Sequence, residues 1–477
     1  SGGTIAPGRS IGTLTVNGNY VQQAGSRFEV EMTPPDQVDR LAVTGRATLE
    51  GGTVVAERGP GVYALGERYD FLTAAGGITG RFGALDSTAI TPFLGLSLSY
   101  DAFGVVLDVA RGASFASLGS TYNQRATGAS LDAIADSHAL INPLVQLFPA
   151  QAFDAIDLLS GDVHATAQSV LIDSSRHVRG SALKRAAGGS DPLQTQHDPE
   201  RRFGAWVDLQ RTGGSLADGA NAAGSVYSGG NTLVGADYTF DSGLRVGLVG
   251  GVGESDLKAA QRLHARTDVD TRHAGVYAGY SWRGLGLRGG WTHGSHDIKV
   301  DRRVVFSGVT DSLSAHYDAT TKQAFVEAGY RFGTARWGVE PYAQFAQVRA
   351  SADGFTEDGG AAALRGRTRD VRADLTTGGL RFDVNLRGSE QAQTWLGLRG
   401  GVGYRKTGGE LVPWTDAALA GGERFIVQGA PVGSNAKLLE LGVAARTSAN
   451  SLLEVGYHGQ YADEARDHGA NLRWSVQ

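Results

Sequence analysis

The chain has 477 residues and a net charge of −5, with 70 Gly, 12 Pro, one Met and no Cys. That charge argues against a dedicated nucleic-acid binder. No apolar run reaches the ~18–20 residues of a spanning helix, so a helical membrane protein is not expected. Gly is roughly twice the usual ~7% with no collagen period, which suits tight turns, stacked β-coils and crowded sheet walls. A chain that crosses an oxidising compartment unfolded gains by having no thiols to cross-link. No leader peptide is visible, and Ser1-Gly2-Gly3 reads as the start of a processed or truncated fragment.

Residues 1 to about 112 hold short β segments punctuated by glycine: Thr13-Leu14-Thr15-Val16, Arg27-Phe28-Glu29-Val30-Glu31, Leu41-Ala42-Val43 and Thr53-Val54-Val55-Ala56. Their spacing is that of stacked rungs, each too small to stand alone, with a small β-sandwich as the alternative. At about Ser117 the character changes, and over 121–180 the residue usage turns helical. Ala129, Leu131, Ile134, Ala135 and His138 share one stripe, and Phe153, Ile156, Leu159 and Val163 share another. The stretch from Ser160 to Arg179 is polar nearly all round, as expected of a solvated linker or of a helix in a wet cavity. Residues 180–202 mix Gly, Pro and charge without a period and read as a linker.

From Phe203 to the end the chain alternates apolar and polar residues, strand after strand. Phe203, Ala205, Val207 and Leu209 oppose Asp208, and Val326, Ala328, Tyr330 and Phe332 oppose Glu327 and Arg331. Leu439, Leu441 and Val443 oppose Glu440, and the last strand sets Leu472, Trp474 and Val476 against Asn471, Arg473 and Ser475. The count is about twelve strands, an even number. Tight turns at 241–243, 283–284, 333–336 and 448–450 alternate with long polar excursions near 213–227, 255–268, 351–368 and 409–434. Tyr238, Phe240, Trp282, Tyr330, Phe332 and Trp337 flank the tight turns. Alternation alone fits a soluble sandwich too. One-sided charge, a girdle of aromatics and turn lengths that keep step together indicate a membrane β-barrel with its tight turns on the periplasmic side.

Sharper chemistry finds little support. Gly8-Arg9-Ser10-Ile11-Gly12 fits the hydrolase-elbow pattern, but a strand follows Ser10 where that geometry needs a helix. Gly284 to Gly289 fits a dinucleotide-binding pattern, yet lies inside a strand. His293 and His296, three apart in a strand, fall on opposite faces and make a poor metal pair. No catalytic residue, cofactor or metal site is expected in the residues shown. Asn123 and Asn142 sit early in the helical region with no recognisable cleavage signature beside them.

The order Pro7-Gly8-Arg9-Ser10-Ile11-Gly12-Thr13-Leu14, Asp39-Arg40-Leu41-Ala42-Val43-Thr44-Gly45, Leu159-Ser160-Gly161-Asp162-Val163-His164-Ala165, Phe203-Gly204-Ala205-Trp206-Val207 and Leu472-Arg473-Trp474-Ser475-Val476 resembles the C-terminal half of a classical autotransporter (type V secretion). The resemblance covers essentially the whole chain. It implies an all-β fold with a helical linker. Residues 1–112 would be the end of a β-helical passenger with a pertactin-like autochaperone segment, and residues 113–202 a linker whose helix, about 150–180, threads the pore. Residues 203–477 would form a twelve-stranded antiparallel outer-membrane barrel. Asp162, His164, Asp173, Arg176 and Arg179 on the pore helix would face lumen charges Arg245, Glu327, Arg331, Glu340, Arg399, Glu440, Arg446 and Glu454, which are mixed in sign and suited to solvating a passing polypeptide. Leu472, Trp474 and Val476 would carry the assembly signal, although Gln477 stands where the family ends on an aromatic. The implied partners are outer-membrane lipid, the barrel-assembly machinery, periplasmic chaperones and the chain's own passenger, with no nucleic acid. The implied function is secretion and surface anchoring of that passenger. An adhesin stem, or an anchor for an upstream protease or esterase, are the alternatives.

Overall fold

The computed structural model describes residues 2–187, 202–219, 221–259, 264–334, 336–387, 395–448 and 450–476. Most of the sequence-predicted linker, residues 188–201, and the final Gln477 lie outside the described residues.

Residues 4–87 wind into coils whose short strands stack in parallel on three faces. Thr4–Ile5, Arg27–Thr33, Thr53–Arg58 and Ala84–Ser87 make one face; Tyr20–Gln22, Ala47–Glu50 and Ile78–Arg81 a second; Thr13–Val16, Arg40–Val43 and Arg68–Ala74 a third. Every second residue of Arg27–Thr33 points inward, which buries Phe28, Val30 and Met32 completely. This is the β-coil alternative, not the sandwich. Phe28 sits edge-on to Phe71 and Phe82, with ring centroids 5.2 and 5.9 Å away, and so joins successive coils. An antiparallel hairpin, Leu94–Tyr100 with Gly104–Arg111, extends the third face by pairing with the edge of Arg68–Ala74. Phe28→Ala is expected to cost the stem about 3–5 kcal/mol. Limited proteolysis should then cut residues 1–112 sooner, while the folded barrel keeps its resistance to detergent.

Helices follow at Phe115–Leu118, Tyr122–Ala133, Ile141–Val145 and Pro149–Ser160. Thr121 and Gln124 form a reciprocal capping box at the start of the second. Gly161, in the left-handed conformation at φ 68°, ends the fourth. Two further helices, Val163–Ser174 and Arg176–Ala186, run on almost continuously.

Twelve long antiparallel strands close on themselves: Phe203–Leu216 pairs with Ser225–Thr239 on one side and with the last strand, Ala465–Val476, on the other. Short Phe332–Gly333 adds a thirteenth segment to the sheet by folding back on Trp337–Ala352. The tight turn Arg283-Gly284 has both residues at positive φ, 47° and 90°, the twist that a two-residue hairpin needs. Outside the wall stand Leu209, Val234, Leu248, Val276, Leu380, Val402, Leu441 and Leu472, each 42–62% exposed. So continuous an apolar belt belongs against lipid. The expected girdle is present beside the short turns, where Tyr238 packs on Phe240 at 4.8 Å and Tyr330 on Phe332 at 4.7 Å.

Three expectations need correction. The helix inside the bore is Val163–Ser174 with Arg176–Ala186; Pro149–Ser160 lies over the wide mouth, where the Leu158 carbonyl accepts a 2.7 Å hydrogen bond from Arg302. The long excursions are shorter than expected, because strands continue to Leu216, from Ser225, to Ala259 and from Ala265. The excursions near 351–368 and 409–434 are themselves partly sheet: Gly354–Thr356, Leu364–Thr368, Trp414–Leu419 and Phe425–Gln428 pair with one another. The strands continue because the linker helices fill the mouth. Leu131, Leu144, Ile156 and Leu159 share one apolar core with Ile298, Val300, Val304 and Leu313 from the extended strand ends.

Candidate functional site

The site is the bore and the helix that fills part of it. Every residue from Val163 to Asp173 is buried, including His164, Thr166, Gln168 and Ser169, so polarity all round here means wall contact on every side. Ile172, Val178, Ala182 and Ala186 make an apolar stripe against Trp206, Leu233, Val249 and Tyr277. Glycines make room for the bulky wall residues: a Cβ on Gly235 would come within 2.4 Å of the Trp206 ring, and one on Gly247 within 2.3 Å of Tyr277.

The polar contacts fall into tiers along the helix. At the wide mouth Asp162 accepts a 3.0 Å hydrogen bond from the Ala223 N–H, and His164 lies 2.8 Å from Glu357. Ala430 is gripped next: its carbonyl accepts from Ser169 at 2.6 Å and its N–H donates to Thr166 at 3.0 Å. In the middle Asp173 and Asp467 share Arg176, and the Tyr227 hydroxyl donates to both carboxylates at 3.1 and 3.0 Å. Gln460 donates to Asp173 at 2.9 Å, and Arg405 stands 3.7 Å from it. Arg179 donates to Gln323 at 2.6 Å, and Gln323 returns a bond to the Ser175 carbonyl at 2.8 Å. Toward the short turns Ser181 donates to Asp208 at 2.6 Å, Lys184 meets Glu454 at 2.7 Å, and Arg185 grips Asp237 at 2.5 and 3.0 Å. Arg245 donates to the Arg185 carbonyl at 3.0 Å.

All five pore-helix residues named from sequence therefore touch wall or loop. The lumen residues divide. Arg245 and Glu454 meet the helix directly, and Arg399 meets Glu454 at 2.9 Å. Glu327 is held by Arg381 at 2.7 and 2.8 Å and by Arg288 at 3.1 Å, entirely within the wall. Glu340 pairs with Arg288, and Arg331 with Asp383 at 2.9 Å. Glu440 lines a cavity of about 250 Å³ beside the helix, together with Tyr342, Arg381 and Lys184. Arg446 is nearly shielded near the short-turn end. Lys184 and Arg185 were missed because Gly180 and the charges after it read as linker; Val178, Ala182 and Ala186 at four-residue spacing were the available signal. Asn142 accepts a 3.2 Å hydrogen bond from the Leu65 N–H in the stem. Asn123 donates to the carbonyls of Asn221 and Gln428, both at 2.8 Å. Both asparagines lie outside the bore.

Such an arrangement holds a chain segment at many points in a polar cylinder. The helix enters at the loop side, joined there to the coil stack, and leaves at the short-turn side, where the first strand begins. One polypeptide therefore passes end to end through its own barrel.

Residues 205–458 match the family described as Autotransporter beta-domain. Two curated proteins named "Extracellular serine protease" from Serratia marcescens are 29% and 28% identical over 99% and 98% of this chain. The chain spans about half the length of these curated relatives, 50% and 49%. In fold it is similar to the translocator domain of autotransporter NalP from Neisseria meningitidis, with a TM-score of 0.50 at 14% identity, covering 64% of this chain and 97% of that one. A cylinder threaded by the segment that precedes it thus has its explanation in kinship as well as geometry: the chain belongs to the autotransporter β-domain family, as an outer-membrane translocator for a passenger in a Gram-negative cell.

Proposed function

We infer that this translocator secretes and anchors the polypeptide that continues upstream of its own coil stack, and that the bore helix is the trailing segment left in place once export ends. The observation that carries this reading is the direction of threading. The helix end at Asp162 joins the coils on the loop side, and Arg185 lies against Asp237 beside the short turns. Lumen charges of both signs solvate a passing chain of any sequence without gripping it. The tiered contacts to Asp173, Arg176, Arg179, Lys184 and Arg185 then act as the plug.

In the same reading the coils of residues 1–112 fold first outside and template the coils that follow, in the manner of a pertactin-like autochaperone. The passenger is favoured as a serine protease, because both curated relatives carry that name over twice this length. Periplasmic chaperones hold the unfolded chain, and the barrel-assembly machinery engages the strand bearing Leu472, Trp474 and Val476.

Protease added to intact cells tests the orientation. The expected result is loss of residues 1–112 with the barrel protected. A protected stem beside a digested barrel turn would reverse the topology and end the proposal. Deleting residues 4–111 should leave barrel insertion unchanged while the exported passenger becomes protease-sensitive.

A further inference from the structure

The outward face of the ninth to twelfth strands carries a feature that neither threading nor closure uses. Lys437 stands directly across from Tyr404 on one neighbouring strand and from Tyr461 on the other. Tyr461 in turn faces Arg466. Lys406 lies two residues beyond Tyr404 on the same face, and the hydroxyls of Tyr457 and Tyr461 meet at 2.9 Å. The three cations are exposed, and the tyrosines are 52%, 37% and 41% exposed. Toward the short turns the same face becomes purely apolar at Val402 and Leu441. The patch therefore marks the outer boundary of the lipid belt.

Some outer-wall cations are matched, Arg211 by Glu254 at 2.7 Å and Arg349 by Asp370 at 2.5 Å. Among the described residues no carboxylate pairs with Lys406, Lys437 or Arg466; their neighbours across the sheet are Thr376, Tyr404, Tyr461, Asn435 and Ser215. Three unmatched cations beside tyrosines at the outer edge of the apolar belt suit a ligand that is anionic above and hydrocarbon below.

We propose that Lys406, Lys437 and Arg466, with Tyr404, Tyr457 and Tyr461, form a binding site for the phosphorylated headgroup of an outer-leaflet glycolipid. The proposal rests on the outer-membrane placement of the barrel. The lipid seats beside the closing strand, where it holds the seam from outside while the first strand holds it from within the sheet.

The test uses the folded protein in neutral detergent with diphosphoryl lipid A as probe, bound lipid being read by native mass spectrometry. The wild type should retain the lipid, and K406E/K437E/R466E should bind it about tenfold more weakly. Lipid A stripped of its phosphates should bind the wild type no better than the intact lipid binds the variant. Equal binding by the variant, equal binding of the dephosphorylated lipid, or displacement by millimolar inorganic phosphate would each overturn the site. The milder K406Q/K437Q/R466Q variant repeats the measurement should charge reversal impair folding. Unchanged heat-modifiable mobility of the variants, expected because these side chains stand outside the wall, separates loss of the site from loss of the barrel.

Discussion

Leu472→Arg is expected to abolish the folded barrel. Leu472 projects from the last strand into the apolar belt, 42% exposed, between Leu209 of the first strand and Val455 of the eleventh. A charge at that depth on the lipid face costs about 2–4 kcal/mol. That alone lowers the inserted fraction by roughly 30- to 700-fold at equilibrium, since 1.4 kcal/mol is about tenfold. Position adds to it. The last strand pairs with the first from Ala205↔Val476 to Leu216↔Ala465. If it stays out of lipid, two edges of unpaired backbone face hydrocarbon. The readout is heat-modifiable mobility and the yield of protein in outer-membrane fractions.

Trp474→Arg separates energetics from recognition. Trp474 lies in the aromatic girdle, its indole N–H donating to Ser451 at 2.7 Å, and a charge near an interface costs only about 0–1 kcal/mol. If Trp474→Arg blocks insertion as completely as Leu472→Arg, the strand is read by a receptor. If it inserts nearly normally, the assembly-signal role of Trp474 is lost and thermodynamics suffices. Arg473→Leu is the inward control. Arg473 lies over the Trp206 ring at 4.7 Å, so its loss should leave insertion intact.

How far the sequence carries depends on what each residue faces. In the strand Leu285–Phe306 the outward residues begin apolar, with Leu285, Leu287 and Trp291, while Arg288 and Thr292 point inward. Past His293 the polarity inverts without any change of phase: Asp297, Lys299 and Asp301 point outward, and Ile298, Val300 and Val304 inward. A period-2 reading sees the strand in both halves. It cannot see why the faces exchange, because the apolar cover for Ile298 and Val300 is supplied by helices more than a hundred residues earlier. The loops expected at 213–227 and 255–268 are shorter for that reason, their ends being polar outside and covered inside. The bore helix had the opposite difficulty. Its alternating partners, Asp467, Gln460, Glu454 and Asp237, lie far along the chain, so a segment that looks solvated is buried on every side. Its lower half, Arg176–Ala186, was half missed because Gly180 reads as a stop when no wall is there to support the turn. Residue-level roles in the lumen were legible as to face and not as to partner: Glu327 and Glu454 both point inward, yet one holds the wall together and the other holds the helix.

Glu357→Ala is expected to unlock the mouth of the barrel. Glu357 receives both Arg302 donors at 2.7 Å, the Leu364 N–H at 2.9 Å and His164 at 2.8 Å, and the residue is 3% exposed. His164 stacks on Phe355 at 3.8 Å, and its other ring nitrogen lies 3.2 Å from the Tyr317 hydroxyl. One carboxylate thus ties the bore helix to an extended strand and to the folded loop above. Removing it leaves the Arg302 guanidinium buried without its counter-charge, a penalty of about 3–5 kcal/mol. Glu357→Gln also loses the charge but keeps the shape and one acceptor oxygen for Arg302, so its effect should be smaller. Burial alone would raise the pKa of this carboxyl, but Arg302 wins and holds it well below the ordinary 4.5. Its stabilising share is therefore full above that ordinary value and is lost progressively as the pH falls through the depressed one. These contacts at the mouth should hold at neutral and mildly acidic pH and loosen only in stronger acid. The measurement is protease cleavage within 353–370 and near Gly161, with conductance across planar bilayers reporting displacement of the helix. The comparison is Arg349→Ala, which breaks an exposed pair worth about 0–1 kcal/mol on the same side of the barrel. If both variants resist cleavage and block current equally, the helix is held by its lower tiers alone, and Arg176, Lys184 and Arg185 become the contacts to cut next.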